Sequence, residues 1–144
     1  FSTILRNTSA YELAFPNYNM EDGWDFRLLT TILERNTSLL TLSLSRKNLG
    51  DVEGKKLAEM ISKNKKLRRL ELEGNFFGPE TAAAFASALE KNNTLRYLDL
   101  ENNNLTNNGQ NLEGMKKLFD SLKNNTMLIS LNIAIEGIFS IMAK

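Results

Sequence analysis

Leucine positions recur along the chain in a fixed phase. Leu39, Leu42 and Leu44 are followed by Leu67, Leu70 and Leu72, then by Leu95, Leu98 and Leu100, then by Leu128, Leu131 and Ile133. A weaker copy, Ala10, Leu13 and Phe15, lies upstream, so the successive spacings are 29, 28, 28 and 33 residues. The alternation inside each triplet is that of a short strand burying one face. Self-similarity at about 28 residues marks a repeat architecture, in which each unit buries its apolar face only against its neighbours. The longer last spacing places a five-residue insertion in the third full repeat, between Leu105 and Met115, where "TNNGQNLEG" carries turn-forming Asn and Gly and predicts a surface loop.

Between triplets the period changes to that of a helix. Leu29 and Leu33, Leu57 and Ile61, Phe85 and Leu89, and Leu118 and Leu122 are pairs at i and i+4, preceded by Phe26, Gly54, Ala82 and Met115. Each set forms one inward stripe of an amphipathic helix. An Asn stands three residues before every triplet, at Asn7, Asn36, Asn64, Asn92 and Asn125. At that helix-to-strand corner a left-handed cap is expected. Each unit therefore reads as strand, turn, helix and return to strand.

This layout resembles the ribonuclease-inhibitor-like class of leucine-rich repeats over nearly the whole chain. "LRRLELEGNFFGPETAAAFASALEKNNT" (67 to 94) matches best, through Leu67, Leu70, Leu72, Asn75 and Phe77, and "LRYLDLENNNL" follows with Asn103 and Leu105. The resemblance implies an α/β fold: a right-handed leucine-rich repeat solenoid, a horseshoe segment with a parallel sheet on its concave face and helices on its convex face. Asn75 and Asn103 are then expected to satisfy backbone groups between stacked coils. Lys47, Tyr18 and Glu136 stand at that position in the other units. The chain reads as a single domain over 1–144, with a partial unit 1–9, repeats 10–38, 39–66, 67–94 and 95–127, and an incomplete last unit 128–144. Both ends fall within a repeat, so a fragment of a longer protein is expected, with Ile138, Phe139 and Ile141 packing over the last coil or being covered by further sequence or a partner chain.

"LAEMISKNKKLRRLELEGNFF" (57 to 77) is also similar to the matching repeat of the tropomodulin and leiomodin family, whose C-terminal leucine-rich domains have about this length and a following irregular repeat. That similarity implies binding at the pointed end of actin filaments. No actin-contacting residue is carried over from it.

The chain has 144 residues, 42% of them apolar and 24% charged, with net charge +1, enough for one domain with a continuous core. It has no Cys, so it has no disulfide framework and no thiolate metal site, and a cytoplasmic location is expected. No apolar stretch approaches the length of a membrane span. Asn7, Asn36, Asn92, Asn104 and Asn124 begin N-x-S/T triplets; most fall at the repeat corner, where Asn is expected without glycosylation.

Without His or Cys, neither Ser-His nor Cys-His catalysis is available, and no phosphate-binding or nucleophile-elbow motif occurs. No cofactor or metal is implied, and the chain reads as non-catalytic. Its candidate site is a surface. Positions alternating with the buried leucines face out of the sheet, which places Arg69, Glu71 and Glu73 beside Tyr97, Asp99 and Glu101 on the next coil. Four carboxylates around one aromatic suit a protein partner that is basic on its contact surface. Of the nine cations from Arg46 to Arg69, most are expected on a solvated helix and its flanking loops, away from the strand face. With no aromatic platform among the lysines, nucleic acid ranks below protein as a partner. The function read from the sequence is a protein-binding module, with actin capping or a structural spacer as alternatives.

Overall fold

A computed structural model describes the backbone of residues 12–14 and the structure of residues 26–133. Five short strands, β1 (Glu12–Ala14), β2 (Thr41–Ser43), β3 (Arg69–Glu71), β4 (Tyr97–Asp99) and β5 (Ser130–Asn132), form a parallel sheet in chain order. The register pairs Leu13 with Leu42, Leu42 with Leu70, Leu70 with Leu98 and Leu98 with Leu131, the residues that the repeat makes equivalent. Four helices connect them: α1 (Phe26–Glu34), α2 (Asp51–Lys63), α3 (Pro79–Lys91) and α4 (Glu113–Leu122). Each packs on the next, α1 on α2, α2 on α3 and α3 on α4. This is the α/β leucine-rich repeat solenoid that the sequence pattern implies.

The core is one continuous column. Leu42, Leu70 and Leu98 from the strands and Leu57, Ile61, Phe85, Leu89 and Leu118 from the helices are all buried in a single cluster. Two glycines set the spacing between helices. A Cβ on Gly54 would lie 2.1 Å from Thr81 Oγ1, and one on Gly114 would lie 2.1 Å from the Pro79 carbonyl oxygen. Contacts that close are forbidden to any side chain, so Gly brings α2 onto α3 and α3 onto α4.

Two asparagine ladders stitch the coils. On the strand side, Asn75 Nδ2 donates to Leu44 O and Leu72 O while its Oδ1 accepts from Lys47 N and Leu49 N. Asn103 repeats this one coil on, donating to Leu72 O and Leu100 O and accepting from Phe77 N. These are the two positions the repeat motif singles out. At the helix-to-strand corner, Asn64, Asn92 and Asn125 each donate to a carbonyl of the preceding helix, Leu33 O, Ile61 O and Leu89 O, at 2.6 to 2.8 Å. Each also accepts two N–H groups of its own turn, as Asn92 does from Thr94 and Leu95.

The corner geometry corrects one expectation. Asn64 and Asn92 are extended, with φ of −66° and −81°, rather than left-handed. Asn is required there for its amide, which reaches one coil back to helix carbonyls that have no partner within their helix. Left-handed backbone occurs instead after the strands, at Arg46, Gly74 and Asn102, equivalent positions of three successive coils.

The insertion forms the expected surface loop, ending at Glu113, where α4 begins. It is closed by its own hydrogen bonds: Asn104 Oδ1 accepts from Asn108 N at 2.8 Å, Thr106 Oγ1 from Gly109 N at 3.0 Å, and Thr106 O from Asn111 N at 2.8 Å. Asn107, Asn108 and Gly109 supply three consecutive left-handed residues. The expectation for Ile138, Phe139 and Ile141, like the positions of Tyr18 and Glu136, lies outside the described residues.

Candidate functional site

The strand face brings all six sequence-predicted residues together. Arg69 pairs with Tyr97 and Glu71 with Asp99 across β3 and β4. The ladder continues past the strands, Gly74 N–H donating to Glu101 O at 3.0 Å, so Glu73 lies beside Glu101. Alternation of side chains forces this arrangement: Leu70, Leu72, Leu98 and Leu100 point to the core, and their neighbours cannot.

The electrostatics differ from a bare acidic patch. Arg69 Nε donates to Glu71 Oε1 at 2.6 Å, and its guanidinium carbon sits 3.7 Å from the centre of the Tyr97 ring. The Tyr97 hydroxyl reaches Asp99 Oδ2 at 3.4 Å, and Asp99 Oδ1 accepts from Glu101 N at 2.9 Å. Glu73 Oε1 accepts from Arg46 Nη2 at 3.0 Å and Asn102 Nδ2 at 3.2 Å. Glu101 Oε2 accepts from Asn132 Nδ2 at 3.0 Å. Every carboxylate of the cluster thus has a donor, and the two guanidiniums on Glu71 and Glu73 offset part of the like-charge repulsion that adjacency alone implies. Four carboxylates still face two guanidiniums, Arg46 and Arg69, so the face keeps a negative surplus.

Those bonds shift the protonation of the groups. The Arg46 hydrogen bond, reinforced by Asn102, holds the Glu73 carboxyl below its usual range, and Glu73 in turn raises the Arg46 guanidinium. Arg69 is raised chiefly by its hydrogen bond to Glu71.

Arg46, Asn102 and Asn132 complete the site and were not among the sequence-predicted residues. Arg46 comes from the neighbouring coil and crosses Gly74, where a Cβ would meet Arg46 Cγ at 2.9 Å. The repeat alignment carries a signal for it: a cation two residues after Leu44 faces an acid one residue after Leu72.

Most of the cations between Arg46 and Arg69 lie on the helix and its flanking loops, as expected: Lys55, Lys56 and Lys63 are on α2, with Lys55 paired to Glu80 and Lys63 to Glu34 and Glu59. Lys47 is buried beside the core, Arg46 and Arg69 belong to the strand face, and Lys65, Lys66 and Arg68 lie beyond the helix end. Among the described residues, no group of three or more His, Cys, Asp or Glu could hold a metal ion, and no helix is long and apolar enough to cross a membrane.

The leucine-rich repeat family profile matches residues 91–109, the corner, strand and ladder turn of β4. No curated protein matches the chain. Among solved structures, the chain is similar to leiomodin-1 actin-binding site 2, with TM-score 0.74 and 24% identity, covering 98% of this chain and 81% of that one. It is likewise similar to the tropomodulin C-terminal domain of Caenorhabditis elegans, with TM-score 0.78 and 19% identity, covering 98% and 84%. At these identities the likeness establishes the fold. The chain is a leucine-rich repeat domain, and its solenoid is of the kind found in tropomodulin and leiomodin.

Proposed function

We propose that this domain is a non-catalytic protein-binding module whose partner docks on the concave strand face. The observation that carries this reading is the Arg69–Tyr97 stack, an aromatic and a guanidinium pre-ordered against each other and ringed by Glu71, Glu73, Asp99 and Glu101. Arg and Tyr are the side chains that most often dominate binding energy, and holding them in place beforehand lowers the ordering cost of association. The residual negative charge suits a partner that is basic at its contact surface. A cysteine-free chain is compatible with a reducing cytoplasmic setting.

Affinity capture with the parent and with Tyr97→Ala tests the reading. A protein retained by the parent and lost from the variant supports the concave face. An identical retained set from both variants would leave the domain a spacer within a larger assembly.

Actin is the second reading, favoured by the fold-level likeness over 98% of the chain to a leiomodin domain named for actin binding. Elongation of actin filaments with blocked barbed ends should slow on adding the parent domain. No effect at micromolar domain would remove actin as the partner.

A further inference from the structure

One rim of the solenoid, where each helix hands over to the next strand, is strongly basic. The four lead-in segments, residues 35–41, 63–70, 91–98 and 123–131, carry nine of the chain's 18 Lys and Arg and none of its 17 Asp and Glu. Three of these cations are engaged: Lys63 with Glu34 and Glu59, Arg69 with Glu71, and Lys123 with Asp120. The other six, Arg35, Lys65, Lys66, Lys91, Arg68 and Arg96, form no ion pair among the described residues.

Helix dipoles explain part of this and not the rest. Lys63 and Lys91 sit in the last turns of α2 and α3, where a cation complements the negative helix end. Lys65, Lys66, Arg68 and Arg96 lie past the helices, on the strand lead-ins, and Arg68 and Arg96 occupy the same position of adjacent coils. The backbone ladder fixes this: Arg68 N donates to Leu40 O, Arg96 N to Arg68 O, and Ile129 N to Arg96 O, each at 2.8 Å. The row therefore runs Leu40, Arg68, Arg96, Ile129, with Ile129 77% exposed at its end.

We propose that this rim is a docking surface for an acidic amphipathic helix of another protein, laid across the coils. Successive coils are separated by about 4.8 Å. On a helix, carboxylates three or four residues apart recur at about 5 to 6 Å, close to that step, so one helical face can meet Arg68 and Arg96 together and place an apolar residue on Ile129. A guanidinium pair gives fork-like contacts to carboxylates. The exposed Ile129 and the absence of any aromatic in the row favour a protein over a nucleic acid, whose bases would need a stacking platform. The row Arg68, Arg96, Ile129 lies one residue ahead of Arg69 and Tyr97 on the same strands, and the inference does not depend on that site's role.

The probe is a fluorescent alanine-based helical peptide with Glu at every fourth position and one Leu on the same face, read by anisotropy. Controls are its Glu-to-Gln counterpart, a dT oligonucleotide and vesicles of phosphatidylcholine with phosphatidylserine. The parent domain should bind the Glu peptide and weaken roughly tenfold or more on raising salt from about 50 to 200 mM. Arg68→Glu with Arg96→Glu should lose about tenfold or more, and the milder Arg68→Gln with Arg96→Gln an intermediate amount. Lys116→Glu with Lys117→Glu makes the same change in net charge on exposed positions of α4 and should bind like the parent. Circular dichroism melting confirms that each variant is folded. Equal binding by the Arg68/Arg96 variants, equal loss in the Lys116/Lys117 variant, or tighter binding of the oligonucleotide or vesicles than of the peptide overturns the proposal.

Discussion

Asp51 Oδ1 accepts hydrogen bonds from both Thr81 Oγ1, at 2.5 Å, and Thr81 N, at 3.0 Å, across thirty residues of sequence. The same oxygen accepts from Gly78 N at 2.9 Å. Asp51 opens α2 yet caps the N-terminus of α3, so the orphan N–H groups of one helix are satisfied by the coil before it. Within its own coil, the α2 entry is closed by Glu53, whose Oε2 accepts from Gly50 N at 3.0 Å. The coil of α2 thus caps the helix of the next coil, whereas the entry of α4 is closed from its own loop, Glu113 N donating to Asn111 Oδ1 at 3.1 Å.

Asp51→Ala should therefore destabilise the domain by about 1 to 2 kcal/mol, the usual cost of losing a side-chain helix cap. Urea unfolding checks this. A midpoint unchanged from the parent would show that water replaces the carboxylate at no cost.

Gly114→Ala sets two effects against each other. Helix propensity alone predicts a gain of up to about 1 kcal/mol. The new Cβ, however, would lie 2.1 Å from Pro79 O, a backbone atom that cannot rotate away. Separating α3 from α4 should cost more than propensity returns, giving a net loss of about 1 to 3 kcal/mol. A thermal midpoint above that of the parent would contradict the close approach.

Leu98 is fully buried between Leu70 and Leu131 in the ladder. Leu98→Ala should cost about 2 to 5 kcal/mol by opening a cavity in the shared core. Because each coil is held by its neighbours, the loss should lower the midpoint of the whole array. Thermal unfolding followed at 222 nm would reveal a local effect as a separate early transition.

Glu73 gives the pH dependence. Its folded pKa is depressed by the hydrogen bond from Arg46, with Asn102 adding to it. A depressed carboxyl binds fewer protons when folded than when unfolded, so its contribution is present above the unfolded value of about 4.3 and fades as pH falls through the folded value. Arg46 is largely solvent-exposed and Glu73 half-buried, so the effect is small and weakened by salt. Glu73→Gln should flatten the acid limb of a stability-versus-pH curve below about pH 5 and leave the neutral region nearly unchanged. Identical acid limbs in the parent and variant would exclude the pairing in solution.

The repeat fold was legible in the residues because its causes are periodic. A leucine at the strand centre of every unit, at spacings of 29, 28, 28 and 33 residues, an i, i+4 helix stripe and a recurring Asn at the corner all require the same stacking, so Leu13, Leu42, Leu70, Leu98 and Leu131 fell into register. The two ladder asparagines and the loop before Met115 followed from the same alignment. So did the placing of Arg69, Glu71 and Glu73 beside Tyr97, Asp99 and Glu101, since side-chain alternation leaves no other choice.

Apart from the two ladder asparagines, where a side chain reached from one coil to the next only the tertiary structure decided. The reach of Arg46 over Gly74 to Glu73, the bond from Asp51 to Thr81 and the amides of Asn64 and Asn92 on the preceding helix depend on how closely coils stack and which rotamer bridges them. Periodicity names the residues of each coil but carries no distance between side chains of different coils. The acidic face was therefore foreseen as four neighbouring carboxylates, while folding supplied the donors that make their proximity tolerable.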